Sequence, residues 1–161
     1  MEDNTIIKVD NTRTALAQMS CLFFGNPAEE LVTIGITGTK GKTTTAYMVY
    51  HILEKVGIKA GLVGTVEVRN GKETIPASHT TPESYLLQKY FSEMSENGCK
   101  AVVMEVSSQA LKLHRVGGVE FDYGVFTNLE PDHIGPNEHE SFEDYMACKG
   151  LLFKQCKVGI V

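Results

Sequence analysis

The sequence lacks the features that mark several functional classes. It carries a formal net charge of −5 and has no block of basic residues, whereas a nucleic-acid-binding surface needs clustered Lys and Arg. It also has no apolar stretch near the roughly 20 residues that a membrane-spanning helix needs. The polar, acidic start Met-Glu-Asp-Asn differs from a signal peptide. We therefore expect a soluble cytoplasmic protein that binds neither nucleic acid nor membrane.

Cysteine is scarce and scattered. The four cysteines, Cys21, Cys99, Cys148 and Cys156, include no C-x-x-C pair. This spacing argues against a zinc cage and favours reduced thiols, as in cytoplasmic proteins. Internal repeats and low-complexity segments are also missing, and 161 residues suit one domain with a substantial core.

What the sequence does contain is an alternation of strand and helix patterns. Strands are predicted at 6–9, 31–37, 60–68, 73–76, 101–106, 123–127 and 157–161. Helices are predicted from Asp10 or Asn11 to about residue 24, at 42–56, at 81–97, from about Ser108, and at 141–155. Near-continuous apolar strands separated by helices indicate an α/β fold with a mostly parallel sheet and helices on both faces.

Turn and cap residues punctuate this pattern. Asn70-Gly71 predicts a hairpin, Thr81-Pro82 predicts a helix N-cap followed by proline, and Ser141 with Asp144 resembles a capping box. The chain ends on Val-Gly-Ile-Val inside a strand pattern, from which we expect a piece of a longer protein.

The most informative segment joins the strand at 31–37 to the helix at 42–56. Residues 38–44 read Gly-Thr-Lys-Gly-Lys-Thr-Thr, and a glycine-rich strand-to-helix turn can bind phosphate through its backbone N–H groups. Lys42 would reach the β- and γ-phosphates, and the Thr43 hydroxyl would bind Mg²⁺. The strict P-loop pattern asks for glycine at position 36, where this chain has Ile36. We favour a nucleotide phosphate site over an ordinary glycine-rich turn.

Other polar groups are expected at the same sheet edge, since ligands of parallel sheets bind beyond the carboxyl ends of the strands. Glu105 ends a buried strand, where a carboxylate needs a cation or several hydrogen bonds. It suits a magnesium ligand, or a carboxylate satisfied by the helix N-terminus at Ser107. His133 lies in the loop after the next strand and is either a metal ligand or a surface residue.

Lys149 falls on the apolar side of the last predicted helix. It lies within an apolar stripe whose other members are Phe142, Tyr145, Met146, Leu152 and Phe153. Such a lysine either reaches the surface with its ammonium group or is functional, because burial lowers the pKa of an amine. A deprotonated lysine could bind phosphate or substrate, or react with CO₂ to form a carbamate. The residues alone leave these alternatives open.

Taken together, these residues occur in the order and spacing of one family. The motifs are Gly-Thr-Lys-Gly-Lys-Thr-Thr at 38–44, His-Thr-Thr-Pro at 79–82, Met-Glu-Val-Ser-Ser at 104–108, His-Arg-Val at 114–116, Phe-Thr-Asn-Leu at 126–129, Asp-His at 132–133 and Tyr-x-x-x-Lys at 145–149. Over about residues 8–161 the chain resembles the Mur ligases, most of all those that extend UDP-N-acetylmuramoyl-dipeptide by a third residue. Leu113, Gln109 and Gly135 depart from the family's usual residues and concern secondary substrate contacts.

The resemblance implies a set of site residues. ATP would be bound by Gly38, Thr39, Lys40, Gly41, Lys42, Thr43 and Thr44. Mg²⁺ would be associated with Thr43, Glu105, His133 and a carbamylated Lys149, with Lys42, Lys149 and His133 as the catalytic residues. The UDP-muramoyl-peptide would contact Thr80, Thr81, Ser107 and Arg115.

The resemblance also implies a domain organisation and a reaction. Residues 1–30 would end an N-terminal UDP-binding domain and linker, and 31–161 would begin the ATP-binding central domain of a P-loop NTPase-like fold; the family's C-terminal domain would be absent. The reaction is ATP-dependent: a peptide carboxylate forms an acyl phosphate, which the amino group of an amino acid attacks. We expect a monomer when full-length, acting in peptidoglycan synthesis, and an inactive fragment alone. Folylpolyglutamate synthetases, an amidotransferase subunit and a silent nucleotide-binding module remain alternatives.

Overall fold

A computed structural model describes residues 6–132, 134–135 and 138–161. The helices are α1 (Thr12–Phe23), α2 (Lys42–Lys55), α3 (Ser84–Glu96), α4 (Ser108–Lys112) and α5 (Phe142–Gly150). The strands are β1 (Val32–Thr37), β2 (Ala60–Val63), β3 (Glu67–Arg69), β4 (Thr74–Pro76), β5 (Ala101–Glu105), β6 (Phe121–Phe126) and β7 (Cys156–Ile160). Short 3₁₀ helices cover Pro27–Glu30 and Leu151–Gln155.

The seven strands form one sheet in the order β4-β3-β2-β5-β1-β6-β7. Strands β2, β5, β1, β6 and β7 run parallel to one another, whereas β3 pairs antiparallel with β2, and β4 with β3, at one edge. The predicted α/β class and the Asn70-Gly71 hairpin are thus confirmed. Among the described residues no helix is both long and apolar enough to cross a membrane.

Helices cover both faces of the sheet because its central strands are apolar on both sides. On one face, α2 packs on a core that includes Ile36 and Val103. On the opposite face, α3, α4 and the segment after α5 pack on a larger core that includes Val102 and Met104. The alternation of Val102 and Val103 between the two cores follows the period of two in a strand.

Most predicted boundaries agree with the structure. Asn11 caps α1 by accepting hydrogen bonds from two backbone N–H groups, and Gly57 and Gly98, both at positive φ, follow α2 and α3. Ser141 caps α5, accepting from the Asp144 N–H over 3.2 Å. The predicted helix at 141–155 is α-helical only to Gly150 and then tightens into the 3₁₀ turn.

Three local predictions were wrong. Residues 6–9 form no strand and pair with no strand of the described sheet. Ile6 and Ile7 are 91% and 73% exposed, so they have no apolar surface among the described residues to pack on. Residues 60–68 form two strands, since the chain reverses after Val63. Thr81-Pro82 does not cap α3, which begins at Ser84 after Glu83.

The last two differences have one physical cause, the end of β5. The Thr65 N–H donates to the Glu105 carboxylate over 2.9 Å, which turns the chain after β2. The Thr81 hydroxyl donates to the Glu105 backbone carbonyl over 2.9 Å and accepts from the Ser107 N–H over 3.1 Å. These long-range bonds override the local sequence signals and shape the edge of the sheet described next.

Candidate functional site

Three loops meet at the carboxyl edge of the central strands, as the sequence predicted. Strand β1 lies between β5 and β6, with Ile36 opposite Glu105 and Thr37 opposite Phe126. The segments after β1, β5 and β6 therefore leave the sheet side by side. This edge is where ligands bind in open α/β sheets.

The loop after β1 has a backbone that requires glycine. Gly38 has φ +146°, and a Cβ there would lie 2.0 Å from the Thr127 hydroxyl oxygen. Gly41 has φ +82° and immediately precedes α2. The glycines thus allow both the left-handed turns and the close approach of the β6 loop.

Hydrogen bonds hold this loop to the segment after β6. The Thr39 N–H donates to the Asn128 carbonyl over 3.0 Å, and the Lys40 N–H donates to the Asn128 side-chain oxygen over 2.9 Å. The Glu130 N–H donates to the Thr39 hydroxyl over 2.9 Å. The exposed Lys40 ammonium forms an ion pair with the Glu130 carboxylate. The loop is therefore held in shape by its neighbour in the sheet.

Lys42 begins α2 and turns back onto the loop. Its ammonium donates to the carbonyl oxygens of Gly38 and Thr39 over 2.9 and 3.0 Å. Burial lowers the pKa of Lys42, partly offset by the negative charges of Glu105 and Asp132. The cation thus lies over the glycine-rich turn, where an anion bound to the loop would meet it.

Lys149 does not reach the surface. It is 2% exposed, and its ammonium donates to the Gly38 carbonyl over 2.7 Å. The same ammonium lies 4.4 Å from the centre of the Tyr145 ring. Desolvation and then the nearby Lys42 charge lower the pKa of Lys149 to about 7. Near neutral pH a substantial fraction of this amine is therefore unprotonated.

Glu105 is 1% exposed and faces α2. Its carboxylate accepts hydrogen bonds from the Thr43 hydroxyl over 2.9 Å, the Thr65 N–H over 2.9 Å and the Thr65 hydroxyl over 3.2 Å. The sequence had offered hydrogen bonds from the helix N-terminus at Ser107 as an alternative to a metal ion. The observed hydrogen bonds come from Thr43 and Thr65 instead. All three donors are uncharged, so the negative charge of this carboxylate remains available to a cation beside the loop.

The residues predicted to contact the peptide substrate lie along the neighbouring loop. Thr81 is buried between β5 and Ser107, and the Thr80 hydroxyl oxygen lies 3.1 Å from that of Thr65. Arg115 donates to the Thr81 carbonyl over 3.2 Å, and its Nε lies 2.8 Å from a Glu83 carboxylate oxygen. Arg115 therefore already holds this loop in place.

The remaining predicted residues are less constrained. Thr44 is exposed in the first turn of α2. His133 lies outside the described residues, so its role as a metal ligand stays a prediction.

Sequence reasoning missed several residues that build the site. Tyr145, taken as part of an apolar stripe, donates its hydroxyl to Thr39 over 3.0 Å. Thr65 and Asn128 bind Glu105 and the loop backbone. The position of Asn128 directly after the strand predicted at 123–127 was a usable signal, because the carboxyl ends of parallel strands meet at one edge. Thr65 gave no such signal, since it fell inside the strand predicted at 60–68.

A second polar cluster lies between α4 and α5. His139, Asp144 and Cys148 bring ligand atoms within 4.8 Å of one another. Lys112, however, already forms an ion pair with Asp144 over 2.7 Å, and burial raises the pKa of the Cys148 thiol. An ammonium ion at the carboxylate and a protonated thiol make this cluster a hydrogen-bonded network and a poor zinc site.

Comparisons with known proteins agree with this geometry. The sequence profile described as "Mur ligase middle domain" matches residues 36–161. A UDP-N-acetylmuramoyl-L-alanyl-D-glutamate–2,6-diaminopimelate ligase from Clostridium perfringens is 49% identical over 160 residues, covering 99% of this chain and 33% of that protein. The corresponding ligase from Caldanaerobacter subterraneus is 50% identical over 157 residues, covering 98% of this chain and 32% of that protein. The chain thus spans about a third of the length of these relatives.

Solved structures share the fold. A UDP-N-acetylmuramoyl-L-alanyl-D-glutamate–2,6-diaminopimelate ligase superposes with a TM-score of 0.75 at 24% identity, covering 91% of this chain and 30% of that one. Mycobacterium tuberculosis folylpolyglutamate synthase, solved with ADP and AMPPCP, has a TM-score of 0.65 at 14% identity, covering 86% and 38%. Because the family profile matches most of the sequence, the chain belongs to the Mur ligase family.

Proposed function

We propose that this chain is the nucleotide-binding part of an ATP-dependent ligase of peptidoglycan synthesis. The full-length enzyme would join an amino acid to UDP-N-acetylmuramoyl-dipeptide. The names of the 46–50% identical relatives support 2,6-diaminopimelate as that amino acid. Residues 1–30 would belong to the end of a UDP-binding domain and its linker, and residues 31–161 to the central domain.

One observation carries the proposal. The glycine-rich loop after β1 is flanked by a buried carboxylate, Glu105, and by a buried amine of lowered pKa, Lys149. A phosphate loop alone indicates nucleotide binding, whereas these two groups beside it are suited to phosphoryl transfer onto a carboxylate. Two structures with this fold were solved with ADP, which supports ATP as the nucleotide.

The loop would receive the β- and γ-phosphates. Gly38, Thr39, Lys40, Gly41 and Thr44 would surround them with backbone and hydroxyl groups, as the resemblance implies. Lys42 would exchange its hydrogen bonds to the Gly38 and Thr39 carbonyls for phosphate oxygens. Its charge would then oppose the negative charge that develops as the peptide carboxylate attacks the γ-phosphate and ADP leaves.

The oxygen donors at the loop fit magnesium. The Thr43 hydroxyl and the Glu105 carboxylate already lie within hydrogen-bond distance of each other. Hydroxyl, carboxylate and water oxygens are the ligands that Mg²⁺ prefers. His133, outside the described residues, would complete the set on the family pattern. When bound, the ion would neutralise phosphate charge. The hydrogen bonds from Thr65 would fix the position of the Glu105 carboxylate beside the ion.

Lys149 would act as a carbamate. Its unprotonated amine would add to CO₂, forming an N–C bond and releasing one proton, so that the ammonium site becomes an anion near the loop. The lowered pKa supports this step because only the free amine reacts. Thr80, Thr81, Ser107 and Arg115 would position the UDP-muramoyl-peptide on the adjacent loop.

The experiment measures phosphate release by the full-length protein. We expect release from ATP only when UDP-N-acetylmuramoyl-dipeptide and 2,6-diaminopimelate are both present. Lysine in place of diaminopimelate tests the amino acid. Equal turnover with a folate substrate would instead assign the protein to the folylpolyglutamate synthases that share its fold, and ATP binding without turnover would support the silent module.

A second experiment tests the carbamate. Lys149→Ala should abolish activity because it removes the amine, and acetate or formate should restore part of it by supplying a carboxylate in the vacated space. Lys154→Ala, at an exposed lysine on the following 3₁₀ turn, is the matched control. Full activity of Lys149→Ala without added acid would remove the carbamate role.

A further inference from the structure

A chain of hydrogen bonds, buried at Ser108 and half-buried at Asp144, ties α4 to α5. His139 is 0% exposed and Ser108 is 4% exposed. The Nε2 atom of His139 lies 2.8 Å from the Ser108 hydroxyl oxygen, and its Nδ1 atom lies 2.9 Å from an Asp144 carboxylate oxygen. The imidazole therefore bridges the first residue of α4 and the first turn of α5.

The charges in this chain fix the direction of its hydrogen bonds. Lys112 donates to the Asp144 carboxylate over 2.7 Å, and this bond and the one to His139 hold the pKa of Asp144 well below its usual range. An ionised carboxylate only accepts, so Nδ1 of His139 donates to it. In the neutral ring, Nε2 then accepts from the Ser108 hydroxyl.

The same imidazole also supports the catalytic face of α5. The His139 and Tyr145 rings pack edge to face, with centroids 5.1 Å apart. Tyr145 in turn donates to Thr39 in the phosphate loop and places its ring 4.4 Å from the Lys149 ammonium. His139 thus contacts the residue that links Lys149 to the loop, without reaching the loop itself.

We propose that His139 is a positioning residue for Lys149. By bridging Ser108 and Asp144 and packing against Tyr145, it fixes the rotation of α5 so that Lys149 meets Gly38. This role rests on the proposed function, in which Lys149 acts beside the phosphates. Sequence reasoning gave His139 no role, because its partners come from two separate segments of the chain.

The order Ser108–His139–Asp144 matches the hydrogen-bond order of a hydrolase triad. Ser108 and His139 are both buried, so an external substrate cannot reach the hydroxyl in this structure. Lys112 also holds the carboxylate, which gives Asp144 a second structural partner. These features favour positioning over nucleophilic catalysis.

The test uses the full-length enzyme with three variants. His139→Asn keeps an amide near the Nδ1 position, His139→Gln keeps one near the Nε2 position, and Ser108→Ala removes the hydroxyl while leaving the ring. We expect each to lower kcat about tenfold or more, with the KM for ATP changed less than about twofold. His51→Gln, at an exposed histidine of α2, should leave both unchanged.

A second readout separates positioning from general destabilisation. With ¹³C-bicarbonate, we expect the carbamate NMR signal of Lys149 to weaken in the His139 variants, and added bicarbonate to restore part of kcat. A loss of thermal stability with kcat, KM and the carbamate signal unchanged would overturn the proposal. If a His139 variant fails to fold, Ser108→Ala decides by the same criteria. An inactive wild-type enzyme would count against the proposed function instead.

Discussion

The ammonium groups of Lys42 and Lys149 donate hydrogen bonds to one acceptor, the carbonyl oxygen of Gly38, over 2.9 and 2.7 Å. Two cations at a single carbonyl repel each other, and burial lowers the pKa of both. Bound phosphate would relieve the repulsion by drawing Lys42 away. Conversion of Lys149 to an anion would relieve it as well. Negative charge added beside the loop would therefore be electrostatically favourable.

Lys42 and Lys40, at the glycine-rich turn, provide the first prediction. Lys42→Ala should reduce ATP turnover at least about 100-fold, because it removes a charge that opposes the developing phosphate charge. Lys40→Ala should cost less than about fivefold, because the Lys40 ammonium is exposed and ion-paired with Glu130. Steady-state phosphate release and calorimetric titration with an ATP analogue measure both. Equal losses in the two variants would contradict the assignment of Lys42.

Glu105 provides the second prediction. Glu105→Gln keeps the size of the side chain and can still bond to Thr43 and Thr65, but it removes the charge. We therefore expect the Mg²⁺ concentration for half-maximal activity to rise about tenfold, since a carboxylate is a stronger Mg²⁺ ligand than an amide. Glu120→Gln, at an exposed residue, is the control. An unchanged Mg²⁺ titration would exclude the metal role.

Gly38 provides the third prediction. Gly38→Ala should lower the free energy of unfolding by about 2–4 kcal/mol, because φ is +146° and the new methyl group would meet Thr127. Gly150→Ala is the matched control, with φ −60° and no atom within 4 Å of the added carbon. It should be neutral or stabilise by up to about 1 kcal/mol. Urea unfolding measures both, and similar values would refute the backbone requirement.

How far the sequence predicted the structure depends on the range of the interactions. The glycine-rich loop after β1 and the edge carrying Glu105 followed from local patterns, since apolar strands and glycine-rich turns depend on near neighbours. The sequence also placed Lys149 on the core face of its helix. It could not decide whether its ammonium reached the surface, which depends on Gly38, 111 positions away.

The errors share the opposite property. Thr81 was assigned as a helix cap from its proline neighbour, yet its hydroxyl bonds to the end of β5. The turn after β2 was missed because its partner is the Glu105 side chain. His139 is bonded at both ring nitrogens to residues of two helices. For Thr81, a long-range hydrogen bond overrode a local sequence signal. For the turn after β2 and for His139, no local sequence signal indicated the long-range bond.

Lys149 provides the last prediction, on the pH dependence of stability. Its pKa is about 7 in the folded protein, against an ordinary value of 10.5, so between these values the unfolded state binds more protons. Burial of the ammonium therefore costs stability in full below about pH 7, and the cost falls as pH rises toward about 10. Lys149→Met removes this cost but also loses the bond to Gly38, which is worth about 1–2 kcal/mol.

We expect Lys149→Met to be more stable than the wild type by about 2 kcal/mol at pH 7, and the difference to shrink as pH is raised to 9.5. Denaturant unfolding in bicarbonate-free buffer measures it, because carbamate formation would otherwise stabilise the wild type. Lys154→Met, at an exposed lysine, should show no such pH-dependent gain. A variant that is less stable at pH 7, or whose gain grows with pH, would show that Lys149 is held as a well-compensated ammonium ion.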